Sequence, residues 1–119
     1  MSLVLSMLAV TATCVPVDNP RLTKIETVAT FFAALNSGDQ PGMGALIKPG
    51  TRFILGPGDT LDLAELLGML PPGSRLDISN VTLDTDGNVT ADTLSSDGTR
   101  GMAVIKVEGG CITEVASKT

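Results

Sequence analysis

Residues 74–117, SRLDISNVTLDTDGNVTADTLSSDGTRGMAVIKVEGGCITEVAS, decide the fold class of this 119-residue chain. Asp86-Gly87, Asp97-Gly98 and Gly109-Gly110 interrupt runs of β-branched and alternating residues, and each pair suits a tight turn whose centre needs positive φ. Three such turns in series predict a four-stranded antiparallel meander over about 74–85, 88–96, 99–108 and 111–117.

Two-residue turns fix the register and therefore the faces. Leu83 then lies opposite Thr90, Asp92 opposite Ala103, Ile105 opposite Glu114, and Val107 opposite Ile112. One face carries Val81, Leu83, Thr90, Asp92, Leu94, Ala103, Ile105, Val107, Ile112, Glu114 and Ala116, and is the better core face. On it Asp92 and Glu114 flank the strand of Ala103 and Ile105, their backbones about 10 Å apart. A carboxylate in an aliphatic interior has a raised pKa, so these two are the candidate acid or base. Solvation at a rim is the simpler reading. Leu76 and Ile78 have the wrong parity for this face unless a bulge near Ser79-Asn80 shifts it. The opposite face groups Val89, Ala91, Met102, Val104 and Val115, more apolar than a solvated face needs, and predicts a homodimer interface there.

Upstream the period changes to that of helices. Asn19-Pro20 offers a first-turn start, and Thr23 with Glu26 forms a capping box one turn later. Ile25, Val28, Phe32 and Leu35 recur at helical spacing until Asn36-Ser37-Gly38. Asp39 caps a short second helix through Ile47, weakened by Gly42 and Gly44. Residues 51–56 (TRFILG) read as a strand, ended by Gly56-Pro57-Gly58. Asp62 with Glu65 opens a third helix bearing Leu63, Leu66, Leu67 and Leu70, which Pro71-Pro72-Gly73 ends. The whole is an α+β chain with about five strands. Residues 1–19 form an apolar segment and linker, and 20–119 a single domain.

Composition excludes much chemistry. Hydrophobic residues make up 43% of the chain with three Phe, no Tyr and no Trp, which predicts an aliphatic core. A net charge of −5 and scattered Lys and Arg argue against nucleic acid. Without histidine there is no His triad, His metal site or imidazole base. Cys14 and Cys111 cannot hold zinc alone. A disulfide between them is permitted, and two buried free thiols are the plainer expectation. Residues 3–13 (LVLSMLAVTAT) are too short to span a bilayer and have no preceding Lys or Arg, so an ordered element is favoured over an export-signal remnant, and a cytoplasmic location slightly over export. Thr11-Ala12-Thr13-Cys14 is a poor lipoprotein box. Gly56-Pro57-Gly58-Asp59 lacks the further Gly and Lys-Ser/Thr of a phosphate loop and reads as a turn into the third helix. Arg52, Arg75 and Arg100 could orient an anion, and read more simply as solvated charges.

The segment 28–39 (VATFFAALNSGD), its continuation Lys48-Pro49-Gly50-Thr51-Arg52-Phe53, and the closing 105–115 (IKVEGGCITEV) resemble the nuclear-transport-factor-2-like superfamily, nearest its SnoaL-like and ketosteroid-isomerase-like members. The resemblance spans about residues 20–117. It implies a cone-shaped, cystatin-like α+β roll: helices packed in a curved antiparallel sheet around an apolar pocket. It implies Phe31, Phe32, Leu35, Phe53, Leu55, Leu67, Ala103 and Ile105 as lining candidates; no cofactor and no metal are expected. It also places Phe31 where the isomerases carry their oxyanion-hole Tyr, Leu55 at their general base, and Ala103 at their protonated carboxylic acid. Base and donors are thus replaced by apolar groups. The epoxide-hydrolase pattern needs a Tyr that this chain lacks.

Three functions follow as expectations. The first is a binding module for an apolar small molecule, catalytically degenerate. The second is a SnoaL-like isomerase, cyclase or hydrolase using Asp92 or Glu114. The third is an interaction module whose pocket is plugged by the N-terminal segment.

Overall fold

A computed structural model describes residues 11–70 and 73–118. Three helices precede or interrupt a curved, unclosed sheet of six strands, one more than expected. The elements run α1 (Lys24–Ser37), α2 (Gln40–Gly44), β1 (Ile47–Gly56), β2 (Asp59–Leu61), α3 (Leu63–Met69), β3 (Leu76–Leu83), β4 (Val89–Ser95), β5 (Arg100–Glu108) and β6 (Cys111–Lys118). Strand order is β2-β1-β6-β5-β4-β3, antiparallel throughout except where β1 runs parallel to β6.

The extra strand is β2. Gly56-Pro57-Gly58 closes a hairpin from β1 back to β2 rather than a direct turn into α3. Helix α1 begins at Lys24 with Thr23 as its cap, one turn later than Asn19-Pro20 suggests, because the reciprocal Thr23–Glu26 box satisfies two otherwise orphaned donors there. Gly38, at φ 74°, ends it with its N–H on the carbonyls of Ala34 and Leu35. Helix α2 stops at Gly44, short of Ile47, which already belongs to β1. The Asp62–Glu65 box opens α3 as expected.

The hairpins correct the face assignment. Asp86 and Asp97 keep negative φ; only Gly87 (80°) and Gly98 (90°) are left-handed there. A two-residue type I′ turn needs both central residues left-handed, so each loop instead takes three residues with its Gly at the bulge position. Asp84 N–H donates to Asn88 O, and Ser95 N–H to Thr99 O, closing these loops. The β3–β4 and β4–β5 pairings each move by one residue: Val89 faces Leu83 and Ile105, and Ala91 faces Ala103. At Gly109-Gly110 both residues have positive φ, and Val107 pairs with Ile112 as expected. A bulge at Thr113 then shifts β6, so Lys106 faces Glu114 and Ile105 faces Val115.

The inner face is therefore Val89, Ala91, Ala103, Ile105, Val107 and Val115, and all but the half-buried Val115 are buried. Val89, Ala91 and Val115 are core, so the outer-face grouping expected for a dimer does not exist as drawn. The bulge anticipated near Ser79-Asn80 is present, with Asn80 at φ 51°, and it brings Leu76 and Ile78 against the core. Phe31 sits edge-on to Phe32 and stacked with Phe53, at centroid distances of 5.4 and 6.4 Å.

The strap of residues 11–20 lies along the start of β1 and the Gly109-Gly110 turn. Thr13 N–H donates to Gly44 O, Cys14 N–H to Ile47 O, and Val17 N–H to Gly109 O. A Cβ on Gly109 would meet Val17 N at 2.6 Å and one on Gly110 would meet Pro20 Cβ at 2.9 Å, so the strap packs where only glycine fits. Cys14 and Cys111 are disulfide-bonded, with Cα atoms 5.7 Å apart, which corrects the free-thiol expectation. Sequence separation hides this proximity; strap and hairpin create it. Residues 1–10, which hold most of the apolar run, lie outside the described residues. On the far edge of the sheet, Asn36 of α1 receives Leu76 N–H at 2.7 Å and donates to Leu76 O at 3.0 Å.

Candidate functional site

The inner sheet face changes from bulky to small along its strands. One cross-strand row is Phe53, Val115, Ile105 and Val89, and it is filled. The next is Ser117, Ala103 and Ala91, and beyond it Gly101 pairs with Thr93. Small side chains cannot reach α1 and α3, so a space remains at that end.

The space is a cavity of about 420 Å³. Phe31, Phe32 and Leu35 of α1, Leu66 of α3, and Leu70 just beyond it, form one side. Phe53, Leu55, Leu76, Ala103 and Val115 of the sheet form the other. Thr93, Ser95, Ser96 and Ser117, with Ser74, Arg75, Asp97 and Met102, complete the lining. The size and apolar wall with a few polar groups fit the general form of a small-molecule site.

Six residues expected at a pocket therefore border this cavity: Phe31, Phe32, Leu35, Phe53, Leu55 and Ala103. Leu67 instead borders a neighbouring cavity of about 350 Å³, which shares Leu35, Leu70 and Ser74 with the first. Ile105 borders neither; it is wholly buried in the filled row. Two-residue loops put Thr93 on the other face, and the Ser-Asp-Gly and Thr-Asp-Gly turns with negative φ at Asp are the signal that places it inside; Val115 comes to the inner face through the Thr113 bulge, which no local pattern marks. Leu66 and Leu70 are legible in the helical stripe, but not as cavity wall.

The candidate acids are elsewhere. The longer β4–β5 loop pairs Asp92 with Met102, and its exposed carboxylate accepts from Asn80 Nδ2 at 2.7 Å. The Thr113 bulge turns Glu114 to the outer face, where its carboxylate lies 3.5 Å from Arg52 and 3.6 Å from Lys106. Neither borders the cavity, which corrects their assignment to the core face.

Among the described residues, the carboxylate that does border it is Asp97, at the rim. Ser95 Oγ and Thr99 N–H both donate to its Oδ1. The Ser95 hydroxyl, then Thr99, holds its pKa down to about 2. A carboxyl that acidic is a weak base at neutral pH, because proton abstraction works best with a pKa near the working pH. Arg75, also at the rim, is bound to Asp77 at 3.1 Å. Among the described residues no group of three potential ligands could hold a metal ion, and no helix is long and apolar enough to cross a membrane.

None of residues 11–20 borders the larger cavity. They border a separate surface hollow with Gly109 and Gly110.

No family model matches the chain, and no curated protein matches it by sequence. Solved structures do match by shape. An NTF2-like protein of unknown function from Cytophaga hutchinsonii superposes with a TM-score of 0.66 at 17% identity, covering 82% of this chain and 89% of that one. A cystatin-fold protein from Novosphingobium aromaticivorans gives 0.63 at 16%, covering 82% and 99%. A candidate ketosteroid isomerase from Kribbella flavida gives 0.64 at 18%, covering 79% and 75%.

Proposed function

We propose that this chain, which has the nuclear-transport-factor-2-like fold, binds an apolar small molecule in the 420 Å³ cavity and lacks the acid–base machinery of the ketosteroid isomerases. One observation carries the reading. Phe31, Leu55 and Ala103, which replace the isomerase donors and base by sequence match, all border this same cavity. A wall with hydrocarbon at those three points can enclose a ligand by burial alone, but it offers neither a base nor an oxyanion donor there. The weak basicity of Asp97 points the same way.

Native mass spectrometry of freshly purified protein tests this. The parent should carry a co-purifying apolar mass, released on denaturation. Ala103→Phe fills the small row and should exclude that mass while leaving the circular dichroism spectrum folded. A variant that retains the mass would place the ligand somewhere else. Absence of any bound mass in the parent, together with no uptake of an added apolar dye, would end the binding reading.

The same proposal includes a homodimer through the outer sheet face, now made of Ile54, Val104 and Ala116, with Met102 at the edge where that face meets the cavity rim. Register places Val104 beside Ala116 and Ala116 beside Ile54, and Val104, Ala116 and Ile54 are half-buried, with Met102 exposed at their edge.

A further inference from the structure

At the rim of the cavity stands a carboxylate that no ion pair among the described residues compensates. Asp97 is fully exposed there, in the three-residue loop between β4 and β5. Two bonds lock it in place, from Ser95 Oγ and Thr99 N–H. The loop is in turn docked on the start of β3, since Ser96 N–H donates to Arg75 O at 3.1 Å. Among the described residues, Arg75 is the one basic side chain bordering the cavity, and it already has Asp77 as its partner. A molecule entering past this rim meets a fixed anion before it meets hydrocarbon. The chain as a whole carries −5, which adds a long-range field of the same sign.

Resting on the binding reading above, we propose that the ligand class is a cationic amphiphile: a compact hydrocarbon body buried against Phe31, Leu35 and Ala103, with a protonated amine at the rim facing Asp97. The two parts of the site act separately. Burial of the body supplies most of the affinity. The carboxylate selects the sign of the head, and because it is solvated the selection is modest and salt-sensitive. An anionic head of the same shape meets repulsion from Asp97 and gains less from Arg75, which Asp77 already engages. Hydroxyls of Thr93 and Ser117, on the inner face beside Gly101 and Ala103, can hydrogen-bond polar substituents on the body.

A matched set of probes separates the terms: 1-aminoadamantane, 1-adamantanol and 1-adamantanecarboxylate share one cage and differ in head charge. Titrations by NMR at low salt should rank amine, then alcohol, then carboxylate, with roughly three- to five-fold between neighbours, the scale of a solvent-exposed ion pair. Asp97→Asn keeps the oxygen that Ser95 and Thr99 bond to, so the turn survives. It should bring the amine down to the alcohol's affinity and leave the alcohol unchanged. Raising salt to about 0.5 M should compress the parent's ranking in the same way. Equal affinity for amine and alcohol, or an amine preference that persists in Asp97→Asn, overturns the charge selection. If Ala103→Phe nevertheless abolishes binding of the probes, the cavity reading stands without it. If no probe binds a parent that carries a co-purifying mass or takes up an apolar dye, the amine proposal falls and the cavity reading stands.

Discussion

Replacing both half-cystines by alanine tests the strap most directly. Cys14 and Cys111 are 97 residues apart in sequence, so the bond closes almost the whole domain into one loop. In the chain-entropy account, a cross-link over a loop of that length removes about 16 cal/mol/K from the unfolded chain, or about 4.7 kcal/mol at 25 °C. Total stabilities of small domains are about 5–15 kcal/mol, so the loss is a large fraction of the whole. With an unfolding entropy of about 250 cal/mol/K for a chain of this size, the melting midpoint should fall by roughly 15–20 °C. Alanine is preferred to serine because Cys111 is fully buried and a hydroxyl there would add its own penalty. Urea unfolding of the parent, the parent with a dithiol reductant, and the double variant is the assay. The last two should coincide, well below the first, and with a steeper slope because the open unfolded chain exposes more surface. Identical midpoints for all three would mean that the thiols are not paired, and the strap would lose its anchor.

Four further outcomes are expected. No isomerisation of a β,γ-unsaturated ketosteroid should be measurable; turnover removed by Asp97→Asn would show that a base is present at the rim after all. Val104→Lys should place a second ammonium beside Lys106 on the outer face and give monomers in sedimentation where the parent is dimeric, and a monomeric parent refutes that interface. Phe31→Ala removes a ring that is 2% exposed and touches two others, and should cost about 3–5 kcal/mol in urea unfolding. Asp97 titrates at about 2 when folded against 3.8 ordinarily, because Ser95 and Thr99 favour its charged form. Its contribution is therefore complete above the ordinary value and lost as pH falls through the folded one. Thermal midpoints of parent and Asp97→Asn should differ by a constant amount above about pH 5 and converge towards pH 2; a gap unchanged down to that pH would deny the shift.

The helices were legible because caps and stripes are local: Thr23 with Glu26, and Asp62 with Glu65, fix their ends without reference to anything distant. The meander was legible in count but not in register. Whether Asp86-Gly87 sits in a two- or a three-residue loop changes no strand, yet it exchanges the two faces of β4, and the second three-residue loop restores those of β5. Val89 went from surface to core, and Asp92 from core to surface, on that one residue. The Thr113 bulge did the same to Glu114, and no local pattern marks it. The cavity wall was legible where it is carried by α1 and β1. The rim was not, since Asp97 reads as plain turn chemistry until the loop is docked beside the opening.

Asn36 has a consequence for how the molecule behaves in a crowd. An open sheet has two free edges, and a free edge is a template on which another chain can add a strand and begin a fibril. Here one edge is β2, three residues long, too brief to seed such growth. The other is β3, long enough to be a hazard. Asn36 occupies both the N–H and the carbonyl of Leu76, and the kink at Asn80 bends the remainder away from a straight line. A side-chain amide from α1 thus stands where an intruding strand would have to bond. Asn36→Ala would uncover that stretch, and the harm would be read in turbidity on prolonged incubation sooner than in the melting curve.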